Sequence, residues 1–372
     1  MKIIHLCSDY SNTPLYHSLI LALERYFSKQ TIYVPVRRIE EVNKYDIYNN
    51  PKISIIYSFI LKRWHRLLFR KKIHDVYRDL INKTQLENVS KVHAHFLFSD
   101  GAVAYELKKN FGIDYIVTVR NTDINVYFKY MVHLRSLGKS ILKNAKVIIV
   151  LNPRYRELVL KLVPQDSREF VAKKISIIPN GIEDFWIENM NRSRPKLDGN
   201  KITIIYVGEF SKNKNIESII KAADELRINR LNIELLLVGN YGDNCHNIKL
   251  LQETRKRFIK IVDKVTDKNI LLNLYRSADI FLMPSFYETF GLVYLEAMSQ
   301  GCPVIFSKNQ GIDGYFNEGY VGYSVDPNSV KSICGAILKT LNNYAELSEH
   351  CIHSVESFSW ERIASQTFKA YS

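Results

Sequence analysis

Two glutamates in the C-terminal half, Glu288 and Glu296, are eight positions apart in a stretch suited to a phosphorylated sugar. Between them the chain is predicted to pass from a strand end into a helix through Thr289, Phe290, Gly291 and Leu292. A helix N-terminus offers unpaired backbone N–H groups and a partial positive charge, which suit phosphate oxygens. Gly291 lacks a side chain that would prevent close approach. Carboxylates accept hydrogen bonds from sugar hydroxyls. We therefore predict a site for an anionic ligand that carries a sugar.

Short apolar strands alternate with helical patterns along the chain, as is typical of βαβ units on parallel sheets. The predicted strands are 2–7, 31–35, 91–95, 115–119, 146–151, 175–178, 201–207, 233–238, 280–283 and 303–306. The predicted helices include 14–27, 100–110, 124–142, 216–226, 246–262 and 360–371. We predict an α/β protein with an N-terminal domain at 1–183, a polar linker at 184–200, a second domain at 201–355 and a C-terminal helical segment at 356–372.

Length and composition also fit a globular protein of two domains, with 372 residues, 46% of them hydrophobic and 24% charged. No apolar run approaches the 18 residues or so that a membrane span requires. The first predicted strand is followed at once by the polar Ser8 and Asp9, unlike a signal peptide. The five cysteines are scattered and form no C-x-x-C pair, so neither a zinc site nor a disulfide framework is indicated. We expect a cytoplasmic protein.

The positive charge is confined to the N-terminal half. Residues 1–200 contain 33 Lys and Arg against 19 Asp and Glu, whereas residues 201–372 contain 19 of each. Such asymmetry predicts an anionic partner for the first half. The segment 62–72 combines cations with apolar residues, and it is interpreted as a basic amphipathic helix on anionic lipid. Its candidate contacts are Arg63, Trp64, Arg66, Arg70, Lys71 and Lys72. The alternative is a solvated helix whose Trp64 and Leu68 pack on the sheet. No nucleic-acid-binding signature accompanies the segment, so nucleic acid is not the expected partner.

The stretch around the two glutamates resembles the E-x7-E signature of retaining glycosyltransferases of the GT4 family, the glycosyl transferases group 1. The resemblance includes Pro284-Ser285, Glu296-Ala297-Met298 and Gly301-Cys302-Pro303-Val304. It implies the GT-B fold, in which two Rossmann-like domains face each other across a cleft. The N-terminal domain would bind the acceptor and the C-terminal domain the donor. The last helix would cross back to the first domain.

For the donor, the resemblance implies that Glu288 contacts sugar hydroxyls and Glu296 the ribose. Lys214 occupies the position of a lysine that neutralises the departing diphosphate, with Lys212 as its neighbour. The alternative is a solvated basic loop. Glu209 stands where many relatives have an arginine, so either Lys212 shares the phosphate contact or the phosphates are bound mainly by Lys214 and the helix N-terminus. The sequence leaves open whether the donor carries UDP or GDP. No metal or further cofactor is expected.

On the acceptor side, residues 118–123 resemble the family's Thr-x-His-Gly-x-Asp stretch under the donor sugar. Arg120 replaces the histidine and Asp123 matches. An arginine cannot act as a general base, but in the front-face mechanism implied for this fold the leaving phosphate accepts the proton. Arg120 could stabilise that phosphate, or pair with Asp123 instead. His93 and His95 alternate on one strand, and without a third ligand we expect a structural or acceptor-contacting role for His95 rather than metal binding.

These features predict a retaining, metal-independent glycosyltransferase. Its catalytic residues would be Arg120, Asp123 and Glu288. It would transfer a sugar from a nucleoside diphosphate to a lipid-linked or growing glycan, in capsule or lipopolysaccharide synthesis at the inner face of the membrane. Two other functions stay open: a nucleotide-sugar epimerase of related fold, and a non-catalytic subunit of a polysaccharide-synthesis complex.

Overall fold

Parallel β-sheets form the centre of both units into which the chain divides. The first unit comprises Met1–Gly181 and Trp360–Ser372, and the second comprises Ile182–Ser359. The structure is a computed structural model, and it describes residues 1–47, 50–193, 197 and 201–371. The α/β class predicted from the alternating pattern is confirmed in both units.

The sheet of the first unit has seven parallel strands in the described residues, in the order β3-β2-β1-β4-β5-β6-β7. The strands are β1 (Lys2–Leu6), β2 (Lys29–Pro35), β3 (Ile53–Ser58), β4 (Val89–Ala94), β5 (Tyr115–Val119), β6 (Val147–Val150) and β7 (Ile175–Ile177). The central strands are buried along their length because helices cover both faces of the sheet. Their carboxyl ends therefore meet at one edge, where Arg120 and His95 lie just beyond β5 and β4.

Helices connect these strands. They are α1 (Leu15–Leu23), α2 (Phe69–Lys83), α3 (Gly101–Phe111), α4 (Arg135–Asn144), α5 (Pro153–Leu162) and α6 (Arg168–Ala172).

The single helix predicted at 124–142 was wrong. The chain instead forms a π-helical turn at Asp123–Phe128 and a 3-10 turn at Val132–Leu134 before α4 begins. The backbone of Met131 leaves the helical region between the two turns, in a run of β-branched and aromatic residues that favour helix poorly.

The second unit contains a six-stranded parallel sheet, within the part of the chain described, in the order β10-β9-β8-β11-β12-β13. The strands are β8 (Ile202–Val207), β9 (Ile233–Gly239), β10 (Ile259–Asp263), β11 (Ile280–Met283), β12 (Val304–Ser307) and β13 (Gly322–Val325). The helices are α7 (Asp184–Glu188), α8 (Ile216–Ile228), α9 (Cys245–Glu253), α10 (Lys268–Arg276), α11 (Leu292–Ser299), α12 (Val330–Asn342) and α13 (Tyr344–Val355).

Three observed strands were not predicted: β3, β10 and β13. The predicted helix at 246–262 ends at Glu253 instead, and Ile259–Asp263 pairs with β9. A cation-rich turn interrupts the helix after Thr254, and the apolar run that follows has a β-branched composition suited to a strand. Of the predicted linker, α7 belongs to the second unit, whereas residues 194–196 and 198–200 lie outside the described part.

The last helix, α14 (Trp360–Tyr371), belongs to the first unit. It packs on α1, where Trp360, Ile363 and Tyr371 share a buried cluster with Leu23 and Phe27. Trp360 lies directly over Gly181, so that a Cβ at Gly181 would approach its ring to 2.4 Å. Among the helices of the described residues, none has the length and apolarity that crossing a bilayer requires.

Candidate functional site

An ion pair between Lys214 and Glu288 lies at the carboxyl edge of the second sheet. The Lys214 ammonium donates to Glu288 Oε2 at 2.6 Å, and the two side chains are only 21% and 15% exposed. Lys214 ends a 3-10 turn after β8, and Glu288 lies in the loop after β11. The structure thus brings together two of the residues that the sequence predicted to bind the donor. Partial burial strengthens their attraction relative to an exposed pair.

Two asparagines that were not among the predicted site residues hold the two loops together. Asn213 donates to the Tyr287 carbonyl oxygen at 2.9 Å and accepts from the Tyr287 N–H at 3.0 Å. Asn215, in the left-handed conformation with φ 57°, donates to the carbonyl oxygens of Pro284 and Pro327. The sequence feature that indicates these residues is the run Asn213-Lys214-Asn215. Asparagine tolerates the left-handed backbone conformation, and its side chain can form hydrogen bonds to neighbouring loops. These bonds place the Lys214 ammonium next to Glu288.

Helix α11 begins directly after the ion pair. Gly291 is its N-cap with φ 81°, and a Cβ there would approach the Tyr294 ring to 2.7 Å. The N–H groups of Leu292 and Val293 stand at the start of the helix, where no intrahelical acceptor exists for them. Phe290 is 1% exposed and packs against Tyr315 and Phe358, so its side chain anchors the loop rather than contacting a ligand. Thr289 donates its backbone N–H to Glu288 Oε1.

Glu296 lies one turn before the end of α11 and is half-buried. The Tyr275 hydroxyl on α10 donates to Glu296 Oε2 at 3.0 Å. Burial raises the pKa of Glu296 to about 7, although the bond from Tyr275 opposes this shift. Glu183, in the same unit, adds to the increase, and Lys268 counters it. The carboxyl group is therefore readily protonated near neutral pH, and a ligand that donates hydrogen bonds to it would favour its ionised form.

Lys212 and Glu209 occupy more peripheral positions on the same edge. The Lys212 side chain is exposed and has no ion-pair partner among the described residues, while its backbone N–H donates to Asp243. Glu209 is also exposed. Lys214 is thus the cation that the structure places against Glu288, and the acidic side chain of Glu209 is free to remain in solvent.

In the first unit, Arg120 follows β5 and is 8% exposed. One terminal nitrogen donates to Asn180 Oδ1 at 3.0 Å, and the guanidinium lies 5.3 Å from the centre of the Tyr16 ring. Its Nε has no hydrogen-bond partner within the described residues, although it is buried. The alternative, a salt bridge between the Arg120 guanidinium and Asp123, is absent from the ion pairs of the described residues. Only the backbone N–H of Arg120 donates to the Asp123 carboxylate. A buried guanidinium with an unused donor is suited to an anion.

Asp123 organises the loops around Arg120. Its carboxylate accepts from the N–H groups of Leu97, Phe98 and Arg120, at 2.8 to 3.1 Å, and it is 1% exposed. Burial raises its pKa to about 6 against the effect of these bonds. Three backbone N–H groups inside the first unit therefore engage the carboxylate. Asp100, which the sequence analysis missed, accepts from the Ser8 N–H, and burial raises its pKa to about 7.

Three histidines meet beneath α14. His5, His93 and His95 each offer a nitrogen within 4.8 Å of the others, so the third potential ligand that the sequence analysis did not find is His5. His5 already bonds His95 and Gln30, and His93 bonds Thr118 and Tyr371, which leaves His95 Nδ1 as the unpaired nitrogen. Burial lowers the pKa of all three imidazoles. They form a neutral hydrogen-bonded network under the sheet edge.

The basic segment departs from the predicted single helix. Arg63–Arg66 form a 3-10 turn, and α2 starts only at Phe69. His65 anchors the turn to Asp75 at 3.2 Å, and Lys71 pairs with the same carboxylate. The exposed residues are Lys62, Arg63, Trp64, Arg66, Leu67, Leu68, Arg70 and Lys71. The alternative in which Trp64 and Leu68 pack on the sheet was therefore wrong. Lys72 turns inward to Ser99, and burial lowers its pKa, so it does not belong to the exposed surface.

Residues 188–357 match the family described as Glycosyl transferases group 1. An O-antigen chain mannosyltransferase B from Escherichia coli is 30% identical over 247 residues, which cover 64% of this chain and 63% of that protein. The chain spans about half to two thirds of the length of the curated relatives that it matches first.

Solved structures share the fold over the whole chain. The sucrose-phosphate synthase from Thermosynechococcus elongatus has a TM-score of 0.77 at 21% identity, covering 100% of this chain and 98% of its own. The Anabaena protein HepE in complex with UDP has a TM-score of 0.71 at 15% identity, covering 100% and 99%.

The two parallel-sheet units share the GT-B fold of these solved structures. The match to the glycosyl transferases group 1 lies within the second unit.

Proposed function

We propose that this protein is a retaining, metal-independent glycosyltransferase of the GT4 kind that uses a nucleoside diphosphate sugar. The observation that carries the proposal is the partly buried Lys214–Glu288 pair beside the open N-terminus of α11. An ammonium group and free helical N–H groups at one place suit a diphosphate. The Glu288 carboxylate beside them can accept hydrogen bonds from sugar hydroxyls.

In this proposal, donor binding changes the partners of Lys214. The ammonium group exchanges part of its contact with Glu288 for diphosphate oxygens, which frees a carboxylate oxygen for the sugar. The half-buried Glu296 accepts from the ribose, and this bond favours its ionised form. Positioning and stabilisation of charge on the leaving diphosphate provide the catalysis.

The first unit supplies the acceptor side of the proposal. Arg120 stabilises an anionic group of the reacting substrates with its unused Nε donor, while Asp123 positions Arg120 through the backbone. The acceptor is a lipid-linked or growing glycan of a surface polysaccharide, which the likeness to an O-antigen mannosyltransferase supports. The exposed cations and apolar side chains of residues 62–71 support the proposed association with the anionic inner surface of the membrane.

A thermal-shift screen with UDP, GDP and ADP tests the donor site. A nucleotide present at one hundred times its dissociation constant should stabilise the protein by about 2.7 kcal/mol. The likeness to a UDP-bound neighbour leads us to expect the largest shift with UDP. The absence of a shift with all three nucleotides would contradict the proposal.

Replacement of Lys214 tests its role in turnover. Lys214→Met should lower the rate of donor hydrolysis or sugar transfer at least tenfold, since a shielded charge-assisted hydrogen bond contributes about 1.5–3 kcal/mol. Lys212→Met is the matched control, because its exposed side chain lies two residues away on the same turn. Equal losses in the two variants would argue against a specific role for Lys214.

A further inference from the structure

Three helices on the outside of the first sheet enclose a groove that the donor and acceptor sites do not use. It has a volume of about 540 Å³ and lies between α2, α3 and α4. This size is typical of pockets for small organic ligands. The α2 wall begins at Arg70, the residue at which the exposed basic segment enters the helix. We call it the helical groove.

The lining of the helical groove is amphipathic. Ile73 and Tyr77 of α2, Tyr105 of α3 and Leu137 of α4 contribute apolar surface. Arg70, His74, Lys109 and His133 contribute basic side chains, and Glu106 contributes one carboxylate. A ligand that satisfies both kinds of wall has a hydrocarbon part and an anionic part.

The charge balance favours an anionic ligand. Lys109 is already paired with Glu106 at 2.6 Å, and its ammonium lies 4.8 Å from the centre of the Tyr105 ring. Arg70 has no ion-pair partner in the described part of the chain. Its guanidinium is therefore the uncompensated charge at the groove, and a phosphate can bind it through two parallel hydrogen bonds.

The surroundings of the helical groove indicate where such a ligand comes from. Leu67 and Leu68, just before Arg70, are 86% and 56% exposed, and Val132, just before His133, is 60% exposed. Exposed apolar side chains next to cations are typical of a surface that lies on anionic lipid. The groove thus opens among residues suited to the membrane interface.

We propose that the helical groove binds one anionic phospholipid of the membrane, with its phosphate at Arg70 and part of a hydrocarbon chain along Ile73, Tyr77 and Leu137. The proposal rests on the proposed association with an anionic membrane, but it does not depend on the glycosyl transfer reaction. A bound lipid would hold the first unit at the bilayer in one orientation.

Binding of monomeric lipid to the full chain tests the proposal by titration calorimetry. Dihexanoylphosphatidylglycerol, below its micelle concentration, should bind at least tenfold more tightly than dihexanoylphosphatidylcholine or inorganic phosphate. Equal affinity for the choline lipid would overturn the anionic selectivity. Equal affinity for inorganic phosphate would show a simple phosphate site and overturn the lipid assignment.

Variants locate the binding. Arg70→Gln and the groove-filling Ser136→Trp should each weaken phosphatidylglycerol binding at least fivefold. Arg78→Gln is the matched control, because Arg78 is exposed on the same helix and does not line the groove; it should change affinity less than twofold. Unchanged binding in either groove variant overturns the proposal.

A second set of measurements separates the groove from the other sites. Leu67→Ser combined with Leu68→Ser should reduce flotation with anionic vesicles but leave the binding of monomeric lipid unchanged; loss of monomeric binding in this variant would overturn the assignment to the groove. All variants should keep the UDP-induced thermal shift, so failure here is distinguishable from failure of the proposed enzyme function.

Discussion

At the scale of single residues, the two glutamates of the donor site lie in different environments. Glu288 has a cation at 2.6 Å, whereas the nearest partner of Glu296 is the neutral hydroxyl of Tyr275. Burial raises the pKa of Glu296 to about 7. The sequence predicted both as ligand contacts but could not distinguish them, because the partners come from distant segments of the chain.

This difference leads to a prediction for pH dependence. A carboxyl group whose pKa is higher in the folded protein than in the unfolded chain makes folding less favourable as the pH rises between the two values. For Glu296 that window extends from its ordinary value of 4.5 to about 7. Glu296→Gln should consequently be more stable than the wild type at pH 8, by about 1–2 kcal/mol, and lose this advantage near pH 4.5. Urea unfolding at both pH values measures the difference.

The same variant should lose most of its UDP-induced thermal shift, because an amide is a weaker acceptor for the ribose hydroxyls than a carboxylate. Tyr275 keeps an acceptor in the variant, so the fold should persist. A stability difference between Glu296→Gln and wild type that does not change with pH would contradict the raised pKa.

At the scale of elements, the start of α11 depends on two glycines in left-handed conformations. Gly291 and Gly311 have φ of 81° and 58°, and a Cβ on either would come within 3.5 Å of the Glu288 side chain. They let two loops close around Glu288, while the N–H groups of Leu292 and Val293 have no hydrogen-bond partner among the described residues. A side chain at either position would move the carboxylate away from Lys214.

We expect Gly291→Ala to destabilise the second unit by about 1–3 kcal/mol, since alanine is strained at this φ and its Cβ meets Tyr294. Gly335→Ala, in the middle of α12, is the opposite case, because the added Cβ would have no atom of the described residues within 4 Å apart from its chain neighbours and the backbone of its own helix. It should stabilise by about 0.5–1 kcal/mol, because alanine favours helix over glycine. Denaturant unfolding measures the free energy of unfolding of both variants. A free energy that is unchanged in Gly291→Ala would refute the strain assigned to alanine at this φ.

At the scale of the whole molecule, the first unit is built from both ends of the chain. Helix α14 returns after the second unit and packs on α1, with Tyr371 bonded to His93 at 2.5 Å. This places the histidine network beneath a helix encoded far away in sequence. The stability of the first unit consequently depends on residues that follow the donor-binding segment.

Removing the Trp360 side chain should therefore affect the first unit selectively. Trp360→Ala leaves a cavity over Gly181 and should cost about 3–5 kcal/mol. Hydrogen exchange measured by mass spectrometry should show faster exchange in β1 and β5, with β8 and β11 unchanged. Equal loss of protection in both sheets would show that the two units unfold together.

The sequence by itself determined the α/β class, most of the central strands, and the passage from the loop at Pro284 into the helix that carries Glu296, because hydrophobic periodicity and turn residues act over short distances. Strands β3, β10 and β13 escaped prediction, since short mixed segments become strands only when a neighbouring strand pairs with them.

Only the tertiary structure decided how the chemical groups are used. It pairs Lys214 with Glu288 and directs the Asp123 carboxylate to three backbone N–H groups. It also turns Lys72 inward and brings His5 next to His93 and His95. Each of these contacts joins residues that are distant in sequence or whose side-chain direction depends on packing. Residue type and spacing indicate which chemical groups are available. Burial and hydrogen-bond partners determine which of these groups can contact a ligand.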